Sequence, residues 1–561
     1  MATTAAEADA PATARDNRAR RSPLWWPVVA APAAAAVVYT VLTRRLTGDL
    51  QYVLAALRVG GEAGYSPSEV FTHRPFFYRW FVALLDLPTS GGVVVRETII
   101  EAEGAVIVAA AALALYTALR RRTTPREAAL TAGATGLVLV LAPRTDFLQP
   151  EWTAAVLTVF GIAAALGVRR PWPAALLAAL PLGLAVMMKY STASTAAFGI
   201  LLLWAVDRGR AVRVALVAVV GAITLFGLSV LAGSHELQWT EDMPQINQSA
   251  LSRTGVHPGF ILHRSFEFLA DRAVLTPVLL LLPGALLLLL TRVQGRARRL
   301  ELLTIAVLIG LGSLAVVVVQ GNWFLYHAVQ LTVVAAAMWG LAVAGSPTPP
   351  WCFGAVSLLY GALPALYTHA SKGLQRPAAV WALGLLALLA AVADTRLRGR
   401  PGRSAALVAL CGVVLLAGPV WPDSPHLVQY GKVSSTSASF LRNTERKQAD
   451  ADRLRARIPA GARVLYLAFG DTTYYVDHPA QCRYPIATFL QRSRFLPDVA
   501  DLKSFKENAD CVDHDPAPYA ILDRAWFRLA YVDAGLRRRV QATYDCPPLD
   551  PKTPLVVCRR R

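Results

Sequence analysis

Residues 24–42 read LWWPVVAAPAAAAVVYTVL, a run without a single charge that Thr43-Arg44-Arg45 closes. At 1.5 Å per residue such a run is long enough, as a helix, to cross a hydrocarbon core of ~30 Å. Arginines, not a small-residue cleavage site, follow it, so it reads as a signal anchor. Similar apolar runs recur outward from it, near 98–119, 127–143, 152–168, 173–190, 193–207, 211–232, 273–291, 300–319, 324–344, 351–368, 377–394 and 404–421. The sequence therefore predicts an α-helical polytopic membrane protein of about thirteen spans. The runs at 127–143 and 193–207 are short.

Composition agrees. Of the 561 residues 55% are hydrophobic and 17% charged, and the mean hydropathy is +0.42, values foreign to soluble domains. The net charge of +19 raises the question of nucleic acid. Most of the excess, however, sits in short arginine clusters between apolar runs, the pattern of membrane topology, and no nucleic-acid partner is expected. With a cytoplasmic N-terminus, the inside loops hold Arg120–Arg122 with Arg126, Arg169-Arg170, Arg208/Arg210/Arg213, Arg292/Arg296/Arg298/Arg299 and Arg396/Arg398/Arg400/Arg403. Only the loop Gly345–Pro350 lacks them.

Three parts follow. Residues 1–22 form a basic, disordered cytoplasmic tail. Residues 23–421 form the membrane domain, with outer loops near 44–96 and 233–272. Residues 422–561 form a small extracytoplasmic α/β domain. That last part holds four of the six cysteines, Cys482, Cys511, Cys546 and Cys558, which suits two disulfides in any of three pairings. Within it 462–469 (ARVLYLAF) and 519–522 (YAIL) read as strands, 524–543 as helical, and 555–558 (LVVC) as a last edge strand. Cys352 and Cys411 lie in apolar spans.

The first outer loop carries the residues with chemical promise. Asp49 sits just after the first span, where a low-dielectric membrane behind it raises carboxylate basicity and suits it to take a proton from a hydroxyl. The same position suits a solvated loop aspartate or an N-cap for 50–59. Asp146 and Glu151 lie at the start of the fourth span, and Glu97, Glu101 and Glu103 at the outer end of the second, which suggests an outward-facing acidic cavity. Among cations, Arg74, Lys189, Arg253 and Arg264 are candidates to hold a phosphate. Lys189 equally suits a side chain snorkelling to the interface. His73 and His327 can hydrogen-bond a phosphate or sugar or be satisfied interfacial groups. The stretch 320–327 (QGNWFLYH) fits an aromatic belt. No Walker loop, dinucleotide fingerprint, HExxH or GxSxG is present, which argues against an ATPase or serine hydrolase.

The order of these features resembles the GT-C glycosyltransferases, the membrane enzymes that use polyprenyl- or dolichyl-phosphate sugars. They include protein mannosyltransferases, aminoarabinose transferases and actinobacterial arabinosyl- and mannosyltransferases. Asp49 matches that family's catalytic aspartate. His73-Arg74-Pro75-Phe76-Phe77-Tyr78 resembles its basic-Pro-Pro-Leu-Tyr segment, with Phe76 in place of the second proline. Asp146 and Glu151 resemble its acidic pair before the fourth span, and residues 323–327 (WFLYH) its aromatic-His segment. No paired Asp-Glu follows the first span.

The resemblance implies an inverting glycosyltransferase of the cell membrane, moving a sugar from a polyprenyl-phosphate donor to a protein, lipid or glycan acceptor on the outer face. Asp49 would be the base, Arg74 and Lys189 would bind the donor phosphate, and Asp146, Glu151, His73, Tyr78 and His327 would position acceptor or sugar. The lipid-linked sugar is the donor substrate; no metal ligand set is expected and the role of a divalent ion stays open. The alanine- and arginine-rich, lysine-poor composition points to a high-GC bacterium such as an actinomycete. A transporter or flippase of a lipid-linked sugar would instead show polar residues at the membrane midplane. A non-catalytic scaffold for envelope assembly turns on whether Asp49, Arg74 and Asp146 converge.

Overall fold

The computed structural model describes residues 26–254, 257–346, 349–397, 405–494, 497–548 and 554–561. The expected N-terminal tail and Arg398, Arg400 and Arg403 lie outside them. The membrane part runs α1 (Trp26–Thr43), α2 (Gly48–Glu62), α3 (Phe76–Asp86), α4 (Val93–Leu119), α5 (Pro125–Val140), α6 (Pro150–Gly167), α7 (Pro171–Met188), α8 (Ala193–Val206) and α9 (Arg208–Ala232). It continues with α10 (Glu236–Thr254), α11 (Pro258–Leu275), α12 (Leu282–Leu290), α13 (Arg296–Gln320), α14 (Val329–Ala344), α15 (Trp351–His369), α16 (Pro377–Arg396) and α17 (Ala405–Ala417).

Each of the thirteen apolar runs coincides with a helix, but the span count is smaller. Among the described residues eight helices are long and apolar enough to cross a membrane, or up to ten if two bent pairs each count as one. Those pairs are α1–α2, bent by 56°, and α11–α12, bent by 113°. Of the remainder, α8 and α17 are shorter apolar helices, and α5 is a helix of 16 residues.

Local signals set the boundaries. Proline opens α5, α6, α7, α11 and α16, where its missing N–H is harmless. Thr124 and Glu127 form a capping box on α5. Gly321, at φ 65°, ends α13 in the left-handed conformation that glycine adopts without strain. On α9, Leu216, Val219, Val220 and Ile223 are exposed, as a lipid-facing surface requires. By contrast α6 and α14 are enclosed. At Gly340 a Cβ would lie 2.5 Å from the Leu130 carbonyl oxygen, so α14 and α5 pack backbone against backbone.

The arginine clusters gather at one end of the bundle, where they cap helix C-termini. Arg121 bonds the Gly167 carbonyl, Arg210 those of Ala165 and Val168, and Arg298 that of Ala205. The arginine-free loop after α14 is served in the same way, because Arg126 and Arg292 donate to Val343, Leu341 and Ala342. The other end carries α2, α3 and the C-terminal domain.

That domain begins with the hairpin β1 (Pro425–Gln429) and β2 (Lys432–Thr436), followed by α18 (Ser437–Arg455), β3 (Val464–Leu467) and α19 (Gly470–Val476). Then come α20 (Thr488–Arg492), α21 (Lys503–Asp513), β4 (Tyr519–Asp523), α22 (Ala534–Thr543), β5 (Tyr544–Asp545) and β6 (Leu555–Arg560). The hairpin turns at Tyr430-Gly431, both at positive φ, the geometry that matches strand twist. Their backbone N–H groups donate to Asp271 on α11, which fastens the domain to the bundle. The main sheet has order β3-β4-β6-β5, with β3 and β4 parallel and the rest antiparallel.

Two details differ from the sequence reading. The LVVC strand is β6, which lies between β4 and β5 and is not an edge. The Cys546–Cys558 disulfide, twelve residues apart, ties β6 to the segment following the two-residue β5 that covers its far side. In 524–543 only α22 is an α-helix, preceded by a single 3₁₀ turn at Leu529–Tyr531, because Asp533 starts it afresh by capping the Leu536 N–H. The other disulfide joins Cys482 to Cys511.

Candidate active site

The break between α1 and α2 places Asp49 on the first turn of α2, half-buried, with no side-chain hydrogen bond or ion pair among the described residues. A carboxylate is favoured there by the helix dipole. Its charge acts on Arg74, Tyr78, Lys189 and Tyr326, drawn from three separate segments. The structure thus brings together the first outer loop, the end of α7 and the aromatic segment before α14.

Arg74 follows His73, whose φ of 45° is a left-handed conformation that costs a non-glycine residue about 1–3 kcal/mol. Its guanidinium makes no ion pair among the described residues, and its Nε is buried without a hydrogen-bond partner. His73 packs edge-on against Tyr52, ring centroids 4.5 Å apart. Burial, then Arg74, Arg492 and Lys189, hold the His73 imidazole well below the usual histidine range. It is therefore neutral, and adds a hydrogen-bonding edge but no further positive charge. Tyr78 donates its hydroxyl to the Leu148 carbonyl, 2.8 Å away, which locks α3 to the loop before α6.

Glu151, on the first turn of α6, binds two partners through the same Oε1: Lys189 Nζ at 2.7 Å and His327 Nδ1 at 2.7 Å. Its Oε2 is buried and unpartnered. Burial pulls the Lys189 ammonium below its ordinary value, against the opposing pull of Glu151. Tyr326 stacks between Phe324 and the site, with Lys189 Nζ 5.9 Å from its ring centre.

The expected acidic cavity is not what forms. Asp146 is fully buried and meets Arg272 at 2.6 Å, Glu101 pairs with Arg44, and Glu97 accepts from Gln51 at 3.1 Å. Desolvation makes unpaired buried carboxylates too costly, so each is matched by a donor. Asp49 and Arg74 converge; Asp146 faces Arg272 instead, though its charge reaches Glu151. Arg264 is likewise occupied, paired to Glu267 and lying over Tyr430 at 4.0 Å. The side chain of Arg253 lies outside the described residues. Removing one partner of the buried Asp146–Arg272 pair by Arg272→Met is expected to cost about 3–5 kcal/mol in unfolding free energy, while Asp146→Leu with Arg272→Met together restores most of it. Thermal unfolding in nanodiscs reads this; equal stability of the single variant and wild type would contradict it.

The C-terminal domain roofs the site. Thr488 Oγ1 lies 2.8 Å from the Tyr52 hydroxyl, Phe469 packs on the Tyr52 ring at 6.0 Å, and Arg492 contributes charge toward Tyr52 and His73. A Cβ on Gly470 would lie 2.5 Å from the Tyr52 Cα, so only glycine lets α19 settle on α2. Sequence reasoning missed these roof residues, which carry no motif. Tyr52, one turn beyond Asp49, had a helical-spacing signal.

Compared with solved structures, the chain superposes along nearly its whole length on ArnT from Cupriavidus metallidurans in the apo state. The match covers 95% of this chain and 97% of that one, with a TM-score of 0.52 and 15% identity. The chain has an ArnT-like fold. The helical polytopic architecture expected from the sequence is thereby borne out, with its small C-terminal α/β region. ArnT from the same organism bound to undecaprenyl phosphate matches over the same shares, at 14% identity and a TM-score of 0.48. The arabinosyltransferase EmbB from Mycobacterium smegmatis matches over 76% of this chain and 42% of its own, at 17% identity and a TM-score of 0.43. No family profile and no curated protein matches the sequence. At these identities the ArnT-like match concerns fold, and the chemistry rests on the site.

Proposed function

We propose that this protein is a membrane glycosyltransferase that moves a sugar from a polyprenyl-phosphate donor to an acceptor hydroxyl on the outer face. One observation carries the reading: an unpaired guanidinium, Arg74, and an unpaired carboxylate, Asp49, share one partly enclosed site roofed by the C-terminal domain. A half-buried guanidinium without an ion-pair partner calls for an anion, and a lipid phosphate supplies it. ArnT, whose fold the chain shares, has been solved with undecaprenyl phosphate.

In this reading Asp49 accepts the proton of the acceptor hydroxyl as the oxygen bonds to the anomeric carbon. The bond from that carbon to the phosphate oxygen breaks on the opposite side, with inversion, and the lipid phosphate leaves with the electron pair. Negative charge grows on that oxygen beside Arg74 and Lys189, which stabilise it. Glu151 holds Lys189 and His327 in place, and its free Oε2, with neutral His73, offers acceptors for sugar hydroxyls. Tyr78 braces the loop that carries Arg74. Among the described residues no three His, Cys, Asp or Glu side chains group as a metal site, and no step is assigned to a metal. The N-terminus lies on the arginine-rich, cytoplasmic side and the disulfide-bonded domain outside.

The test gives purified protein a panel of polyprenyl-phosphate sugars with protein, lipid and glycan acceptors. Transfer from one donor is expected. No transfer, with labelled lipid instead crossing a liposome bilayer, would replace the enzyme by a transporter.

A further inference from the structure

A second cavity, of about 480 Å³, opens where the loop after α2, the start of α10 and the C-terminal domain meet. Its volume falls in the roughly 300–1,000 Å³ range of small-ligand sites, which favour such junctions. Tyr65 supplies an aromatic wall, and Arg463, Arg483, Gln481, Glu507 and Asp515 supply planar polar edges. Most of the charges already have partners within the protein. Arg463 meets Asp515 at 2.6 Å, Glu507 accepts from the Tyr484 hydroxyl at 2.6 Å, and Asp510 faces Arg539 at 3.9 Å. Arg483 donates to the His235 ring, and burial, then Arg483, lower the proton affinity of that imidazole. Neither sign of charge is left in clear excess. The lining's two arginines, Arg463 and Arg483, nearly balance its three carboxylates, Glu507, Asp510 and Asp515, which favours neither an anion nor a cation, whereas a polyhydroxylated neutral ligand would find a ring to stack on and fixed, planar hydrogen-bonding groups.

Two features make the cavity rigid and tie it to the site. The Cys482–Cys511 disulfide, both of whose cysteines line the cavity, staples α21 to the segment after β3. Phe71 N–H donates to the Arg483 carbonyl at 2.9 Å, two residues before His73. On the other wall His235 adjoins Glu236, which binds Arg79 at 2.7 Å and the Phe76 N–H at 2.9 Å. The two walls therefore hold both ends of the loop that carries His73 and Arg74. Pre-ordered polar groups spare a ligand the entropy of assembling them.

We propose that this cavity binds a neutral glycan segment of the acceptor, one or more sugars away from the hydroxyl that Asp49 activates. The proposal rests on the glycosyltransferase reading for its purpose, but not for its test, which reads binding alone.

Full-length protein in nanodiscs is titrated, by ligand-observed NMR, with neutral tetrasaccharides of glucose, galactose, mannose and arabinose, and with the acidic tetramer of galacturonic acid. At least one neutral tetrasaccharide is expected to bind saturably. Tyr65→Ala and Glu507→Gln should each weaken that binding at least tenfold, Tyr65→Phe should retain it, and Asp49→Asn should leave it unchanged. The Phe variant keeps the ring, so it separates loss of stacking from loss of fold. Three results would overturn the proposal: no neutral tetrasaccharide binds, the acidic tetramer binds best, or neutral binding survives both Tyr65→Ala and Glu507→Gln. Absence of sugar transfer in a separate assay bears on the enzyme reading and not on this cavity.

Discussion

Asp49→Asn is expected to lower the rate of sugar transfer by about 10²–10⁴-fold, the usual contribution of a general base, while the affinity for polyprenyl phosphate changes little. The expectation follows from where Asp49 sits. Its side chain has no hydrogen bond or ion pair to lose among the described residues, so the amide is tolerated structurally. An amide cannot accept the hydroxyl proton, and nothing else described near Arg74 is both anionic and unpaired. Glu151 is committed to Lys189 and His327 through one oxygen. Single-turnover kinetics with pre-bound donor measures the effect. A variant within about threefold of wild type would remove Asp49 from the role of base.

Arg74→Gln is expected to reduce transfer by about 10²–10³-fold, the cost of removing one preorganised donor from a developing oxyanion. Unlike Asp49→Asn it should also weaken polyprenyl-phosphate binding, because the guanidinium meets the phosphate in the ground state as well. Arg74→Lys should recover part of the rate, since it keeps the charge but not the two-pronged geometry. Kinetics over a range of donor concentrations separates the two contributions. Unchanged donor affinity and unchanged rate in Arg74→Gln would place the phosphate elsewhere.

Apolar runs and arginine-rich loops betrayed the bundle because the bilayer imposes length and charge bias on every crossing. The span count came out high because hydropathy cannot distinguish a span from half of a bent pair, and α11–α12 turns by 113° within one apolar region. Asp49, Arg74, Glu151, Lys189 and His327 were legible because charged groups at the edge of a membrane stand out against apolar neighbours. Their pairing was not. The partner of Asp146, Arg272, lies 126 positions further along the chain at the end of α11, and Glu101 meets Arg44 across 57 residues. Such matches follow from three-dimensional packing, which no local spacing encodes. For the same reason Thr488, Phe469 and Arg492 were invisible as site residues, since only the docking of α19 and its neighbours onto α2 brings them to Tyr52.

The ArnT-like fold fixes the scaffold, and the unpaired Asp49 and Arg74 state what chemistry it can hold. The most direct measurement of that claim is made on wild-type protein in liposomes, with a polyprenyl-phosphate sugar of known anomeric configuration. The account predicts one lipid phosphate released for each sugar transferred, and a product of opposite anomeric configuration. A product that keeps the donor's configuration, or lipid phosphate released with no sugar reaching an acceptor, would contradict it.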